Sequence, residues 1–320
     1  MRKRMKTMLP RAVCAAAALL MLLTAGCGAK GPYTVIDASS MTETKDVSAR
    51  TVEGECLVYT EKGDVFRAED YNVRETLTGV ITDPPERTVM DAAKQAEEWL
   101  DAGERVMIIY IDGLGWQAFG RAVGDGALPN LEKLSSEMCA SVYPTITPVN
   151  YAAMVTGRPP AENGVTKRGI HAIGCDTVFT YAAYLGLASY VSEGDIQILA
   201  LPDAEMELSP DLNGSGTGDD EIFGCAMEHM SSCDLLFVHF HSVDDASHEY
   251  SPVSEEARDA LVTVDGWCGE LMSAWDGRVI ITSDHGQHVQ DGTGDAAYAD
   301  RKGTHGDFAV SDILVPYLTR

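Results

Sequence analysis

The chain has 320 residues, of which 45% are apolar and 23% charged, with 30 Gly and 13 Pro. That is a globular composition, not a disordered, collagenous or polytopic one. The formal charge of -25 argues against nucleic acid as a partner, because a phosphate backbone needs Lys and Arg to displace its counterions.

The amino terminus is basic through Met1-Arg2-Lys3-Arg4-Met5-Lys6, and Ala12 to Leu23 is an unbroken apolar run of 12 residues. Such a run is too short to span a bilayer but suits the central region of a secretory signal. It ends in Leu22-Leu23-Thr24-Ala25-Gly26-Cys27, which resembles a bacterial lipoprotein signal with Cys27 as the lipidated residue. Residues 1–26 are therefore read as a signal peptide. The mature chain would be held outside the cytoplasm, on the cell membrane, by the lipid on Cys27. Loss of Arg2, Lys3, Arg4, Lys6 and Arg11 takes the charge from -25 to -30.

Residues 27–50 are polar and read as a tether. Residues 51–104 read as a small addition: a hairpin from Leu57-Val58-Tyr59-Thr60 through Lys62-Gly63-Asp64 to Val65-Phe66-Arg67, then a helix over Val89 to Ala102. Cys56, Cys139, Cys175, Cys225, Cys233 and Cys268 remain after the leader. They permit up to three disulfides in an exported chain, or six buried thiols.

From residue 105 to 320 strands and helices alternate, as they do in a mostly parallel sheet covered on both faces. Val106-Met107-Ile108-Ile109-Tyr110-Ile111 is continuous and apolar, the mark of a buried parallel strand. Further strands are expected near 235–240, 279–282 and 313–316, and helices near 129–137, 148–156, 178–185, 221–230 and 254–275. Residues 192–219 read as irregular.

Ligands collect at the carboxyl ends of strands in such sheets. Three apolar strands here run into Ile111-Asp112-Gly113, Phe240-His241-Ser242-Val243-Asp244 and Thr282-Ser283-Asp284-His285-Gly286. Asp244 and His248, four apart, share a helix face; Asp245 is the alternative partner. His241 is read as orienting a ligand, as metal sites often require. Thr147-Pro148 opens an apolar helix, so Thr147 is either its cap or a hydroxyl held where a helix amino terminus favours negative charge. A Thr hydroxyl becomes nucleophilic only when a base or a metal draws off its proton.

The ordered set Ile-Asp-Gly, Pro-Thr-Ile-Thr-Pro-Val-Asn with Thr-Gly-Arg, Asp-x-x-x-His, Ser-Asp-His-Gly and a late His-Gly resembles the alkaline phosphatase superfamily. Within it, the type I phosphodiesterase/nucleotide pyrophosphatase branch is the best match, from Val106 to about His305. The resemblance implies a three-layer α/β/α sandwich with a minimal cap. It also implies two divalent ions: Asp112, Thr147, Asp284 and His285 on one, and Asp244, His248 and His305 on the other. Thr147 would be the nucleophile, passing through a phospho-threonine, and Asn150 would hold a phosphoryl oxygen. Nitrogen and oxygen ligands suit Zn, and Mn as an alternative.

No arginine near Thr147 in the sequence resembles the phosphate-binding arginine of the classical monoesterases. That absence favours monoanionic diesters. The expectation is thus a two-metal hydrolase of small phosphoric esters, a phosphodiesterase or nucleotide pyrophosphatase. Its rivals are a phosphomonoesterase or phosphonate-ester hydrolase and a non-catalytic envelope-binding lipoprotein.

Overall fold

The computed structural model describes residues 41–45, 52, 54–68, 76–290 and 301–320. Residues 1–26, Cys27 and most of 27–50 lie outside the described residues. None of the described helices is long and apolar enough to cross a membrane.

A small antiparallel sheet comprises β1 (Glu43–Thr44), β2 (Cys56–Thr60), β3 (Val65–Arg67) and β4 (Leu77–Thr82), in the order β1-β4-β2-β3. The expected hairpin is β2–β3. Next come β5 (Arg87–Thr88), α1 (Asp91–Asp101), β6 (Val106–Ile111), α2 (Trp116–Gly124), β7 (Ser135–Ala140), α3 (Thr147–Thr156), α4 (Pro160–Asn163), α5 (Val178–Tyr184), β8 (Ser189–Glu193) and β9 (Glu205–Leu208). The chain closes with α6 (Asp219–His229), β10 (Leu235–Phe240), α7 (Ser242–Tyr250), α8 (Glu255–Ala274), β11 (Arg278–Thr282), β12 (His288–Val289), β13 (Gly303–Thr304), α9 (Val310–Ile313) and β14 (Leu314–Thr319).

The main sheet has eight strands in the order β5-β7-β14-β11-β6-β10-β8-β9. Every pairing is parallel except the two made by β14, which runs against β11 and β7. Burial on both faces explains why β6, β10 and β11 read as apolar runs. Met107, Ile109 and Ile111 of β6 join one core with α2, α6 and α8, while Val106, Ile108 and Tyr110 join the other with α1, α3 and α5. This is the three-layer α/β/α architecture.

The segment before residue 105 does not stand apart from these layers. β5 pairs with β7, α1 packs in the second core, and Leu57, Tyr59 and Ile81 lie in the first.

Two expectations are corrected. Residues 129–137 form only a single 3-10 turn at Leu131–Lys133 before β7 begins. The buried Asp265 carboxylate of α8 accepts from the Asn130 and Leu131 amides and holds that turn, and pairing with β14 draws Ser135–Ala140 into the sheet. The stretch 192–219 carries the end of β8 and all of β9, an edge strand whose exposed Glu-rich sequence hides its pairing. Cys139, Cys175, Cys225, Cys233 and Cys268 are free thiols among the described residues.

Phe237 on β10 is fully buried, stacked 5.1 Å from Tyr151 and edge-on to Phe179 at 5.8 Å. Phe237→Ala is expected to cost about 3–5 kcal/mol, read as a lowered urea midpoint with an unchanged slope.

Candidate active site

The residues that carry chemistry sit where β6, β10 and β11 end. Asp112 follows β6, and Ser283, Asp284 and His285 follow β11, the next strand in the sheet. Backbone and side-chain hydrogen bonds lock the two turns together. The Gly113 amide donates to Asp284 Oδ1 at 3.2 Å, and the Leu114 amide donates to Ser283 Oγ at 2.9 Å. Gly113 has φ +72°, and a Cβ there would stand 2.7 Å from Asp244 Oδ1. Glycine is what lets the β6 turn close onto α7.

α7 starts directly after β10 because the buried Asp219 carboxylate accepts from the amides of His241 and Ser242, at 2.8 and 2.9 Å. Asp244 then turns inward, while Asp245 is exposed, so the alternative partner is set aside. His248 Nε2 lies 3.2 Å from Asp244 Oδ2, and the Gln287 amide donates to Asp244 from the opposite side. His305 arrives from the loop after β13. Its Nδ1 donates to the Thr145 carbonyl at 2.8 Å, and its ring stacks on His285 with centroids 3.6 Å apart.

Thr147 occupies the first turn of α3, whose cap position is the extended Ile146 with no side-chain cap. The Thr147 hydroxyl is therefore not spent on capping. It points to His285, with Oγ1 3.5 Å from Nε2.

Asp112, Asp284 and His285 bring ligand atoms within 4.8 Å of one another, and so do Asp244, His285 and His305. The arrangement fits divalent cations. Asp112 Oδ1 and Asp284 Oδ2 are buried without a hydrogen-bond partner among the described residues. The Nδ1 atoms of His285, His248 and His305 are each within hydrogen-bond distance of a backbone carbonyl, which leaves Nε2 lone pairs facing the carboxylates.

Electrostatics agrees. Burial, and then the facing Asp284 and Asp244, push the Asp112 carboxyl well above its usual range. Burial opposes a charged His285, yet Asp284, Asp112 and Asp244 outweigh it and lift its pKa to about 10. At His305, burial and the neighbouring His285 lower it to about 3. A site where three carboxylates converge calls for positive charge.

Asn150 departs from expectation. Its Oδ1 accepts from the Val142 amide at 2.7 Å, and its Nδ2 donates to the carbonyls of Val142 and Pro144 at 3.1 and 3.2 Å. Fully buried, it pins the segment before α3 and presents no polar atom to the site.

Sequence reading also passed over a buried network behind Asp112. His239 lies between Glu193 Oε1 at 2.8 Å and Asp112 Oδ2 at 3.3 Å. His241 lies 2.9 Å from Glu193 Oε1 and 3.8 Å from Asp112 Oδ2. Burial alone would raise the Glu193 carboxyl, but these two histidines bring it well below its usual range. The parallel register that sets His239 beside Tyr110, rings stacked at 3.8 Å, fixes the network. His241 thus stands beside Glu193 and behind Asp112.

Arg158, the arginine nearest Thr147 in the sequence, turns away to Glu162 at 3.0 Å. Two others reach the histidines. Arg168 Nη2 lies 3.4 Å from His305 Nε2, and Arg301 Nη1 lies 2.8 Å from His248 Nε2. No local pattern announces either contact, because each crosses between loops distant in sequence. His288 faces Asp312 at 2.8 Å, outside the cluster.

Asn150→Ala would leave the buried Val142 amide unpaired and is expected to cost about 1–3 kcal/mol. Thermal melts check this; an unchanged melting temperature with weakened substrate binding would restore the phosphoryl-contact role.

Comparison with known proteins follows from this geometry. The family model described as type I phosphodiesterase/nucleotide pyrophosphatase matches residues 106–182 and 181–302. No curated protein sequence matches. Among solved structures, human ectonucleotide pyrophosphatase/phosphodiesterase 5 is 13% identical with a TM-score of 0.52, over 68% of this chain and 88% of that one. Its murine counterpart is 13% identical with a TM-score of 0.50, over the same shares. Phosphonoacetate hydrolase from Sinorhizobium meliloti is 18% identical with a TM-score of 0.49, and the match spans 60% of each chain. At 13% identity the likeness to the two ectonucleotide structures is one of fold. The family match covers more than half the sequence and every residue of the cluster except His305, and the chain belongs to the type I phosphodiesterase/nucleotide pyrophosphatase family.

Proposed function

We propose that this chain is an exported, metal-dependent hydrolase of phosphoric esters that works as a phosphodiesterase or nucleotide pyrophosphatase through Thr147. The observation that carries the reading is the uncommitted Thr147 hydroxyl, set at a helix amino terminus against His285 and the convergent carboxylates. A storage or binding protein has no need of such a group. Family membership and the AMP bound to the murine relative favour nucleotide-like diesters.

Asp112, Thr147, Asp284 and His285 would hold one ion, and Asp244, His248 and His305 the other. Zn suits these ligands, and Mn is the alternative. When bound, the ions supply the positive charge that favours a Thr147 alkoxide and neutralises phosphoryl oxygens. The chain's own groups do the rest. The α3 amino terminus favours the alkoxide as its proton leaves to water. Thr147 Oγ1 bonds to phosphorus while the bond to the leaving oxygen breaks, and that oxygen departs with the electron pair. Water then attacks the phospho-threonine, the bond from phosphorus to Oγ1 breaks, and Thr147 regains a proton. Gln287 and His239 keep Asp244 and Asp112 in place throughout.

The lipid anchor at Cys27, the extracytoplasmic location and the boundaries at residues 26 and 50 complete the proposal, supported by the leader and the polar stretch after it, with residues 51–104 an addition packed into the layers of the catalytic domain. Labelling of cells with a radiolabelled fatty acid tests the anchor; label retained in Cys27→Ser would refute it.

Thr147→Ala is expected to lower turnover of a nitrophenyl phosphodiester by about 10³-fold or more while leaving metal content largely intact, since Asp112, Asp284 and His285 still hold the ion. Turnover near the wild-type value would remove Thr147 as nucleophile. Chelator treatment should abolish activity and added Zn or Mn restore it. In His248→Ala or His305→Ala, elemental analysis should show about one ion per chain instead of two, and full occupancy in both would overturn the ligand assignment.

A further inference from the structure

Apart from the catalytic cluster, a second set of ligand-type side chains meets at the edge of the main sheet. β8 and the edge strand β9 pair in parallel, with Ser192 beside Glu207. Ser192 Oγ donates to the Ile222 carbonyl of α6 at 2.8 Å, so α6 covers the face to which Tyr190, two residues back, also points. Cys225 and His229 stand four apart on α6 and share one side of that helix.

The spacing of these groups is that of ligands, not of a closed hydrogen-bond network. Ligand atoms of Glu207, Cys225 and His229 all lie within 4.8 Å of one another. His229 Nε2 stands 3.6 Å from Glu207 Oε2, too far for a hydrogen bond. Metal bonds of about 2.0–2.3 Å at tetrahedral angles set ligand atoms roughly 3.3–3.6 Å apart. Tyr190 gives the outer support that metal ligands need. Its phenol donates to Glu207 Oε2 at 2.9 Å and lies 3.6 Å from Cys225 Sγ, and its ring stacks on His229 at 4.1 Å. Cys225 is a buried free thiol, His229 half-buried and Glu207 exposed, so an ion can enter from solvent and still meet sulfur. His229 is also the last residue of α6, where the helix dipole favours a cation.

We propose that Glu207, Cys225 and His229 bind a divalent metal ion, zinc foremost, at a site separate from the catalytic centre that staples the edge strand β9 to α6. One sulfur, one imidazole nitrogen and one carboxylate oxygen suit zinc over calcium or magnesium, and the fourth position is left to water. On binding, the Cys225 thiol gives its proton to solvent and the thiolate bonds to the ion. α6 begins at Asp219, which clamps the start of α7, and β8 ends at Glu193, which backs His239. A staple between α6 and β9 therefore steadies two supports of the catalytic cluster while sharing no residue with it. The reading of Thr147 as nucleophile plays no part in this assignment.

The test is cobalt substitution of the full chain after chelator treatment, with wild type set against Cys225→Ser and His229→Ala. The ligands assigned to the catalytic centre are nitrogen and oxygen only, so a near-ultraviolet sulfur-to-cobalt charge-transfer band reports the Cys225 site alone. Wild type should show the band, and elemental analysis should find about one cobalt more per chain than in either variant. Metal should also raise the melting temperature more in wild type than in the variants, because an ion held only by the folded chain stabilises it. No band in wild type, a band that survives Cys225→Ser, or an equal metal count in all three proteins would overturn the site. Should Cys225→Ser fail to fold, the half-buried His229→Ala decides: loss of the band upholds the site and an undiminished band refutes it. Absence of phosphodiester turnover in wild type would sink the hydrolase reading and leave the band and the metal count to be read as before.

Discussion

Three converging carboxylates, two of them buried and the third largely so, dominate this molecule. Asp112, Asp244 and Asp284 come from three chain segments, and nothing apolar could tolerate that gathering of charge. The protein answers with imidazoles from His285, His248 and His305, with backbone amides, and with a pocket shaped for cations. The locked turns, the glycine at 113 and the Asp219 clamp on α7 serve to hold the carboxylates together against their repulsion.

The support behind the site is arranged in depth. Glu193 and its two histidines stand behind Asp112, Gln287 orients Asp244, and Asn150 steadies the approach to Thr147. These groups touch no part of the reacting centre, yet each fixes a side chain or loop that does. Such supporting contacts are what keep a metal cluster's geometry within catalytic tolerance. The Thr147 hydroxyl, the proposed nucleophile, does no capping, and it faces His285.

Much of this was legible along the chain. The apolar runs of β6, β10 and β11 announced a sheet buried on both faces. The acidic and histidine-bearing turns after them marked its functional end, because buried parallel strands leave polar residues only at their tips. Helix spacing told that Asp244 and His248 share a face. What local pattern could not convey was partnership across distance. Asn150 looked like a phosphate ligand from its place after Thr147, but the segment before α3 claims both of its polar ends. β7 looked helical because the Leu-rich turn at 131–134 masks a strand that exists only through pairing with β14.

The sequence by itself determined the layered α/β class, the strand tips that carry chemistry and the family to which the chain belongs. These follow from hydrophobic periodicity and from short motifs whose meaning is local. Tertiary structure alone decided which neighbours those motifs acquire: Glu193 behind His239, Arg168 beside His305, Arg301 beside His248. Such pairs are separated by 46, 137 and 53 residues in the chain and meet only through sheet register and loop closure. A contact of that kind leaves no trace in any one stretch of sequence, because its energy is realised only when the whole sheet is assembled.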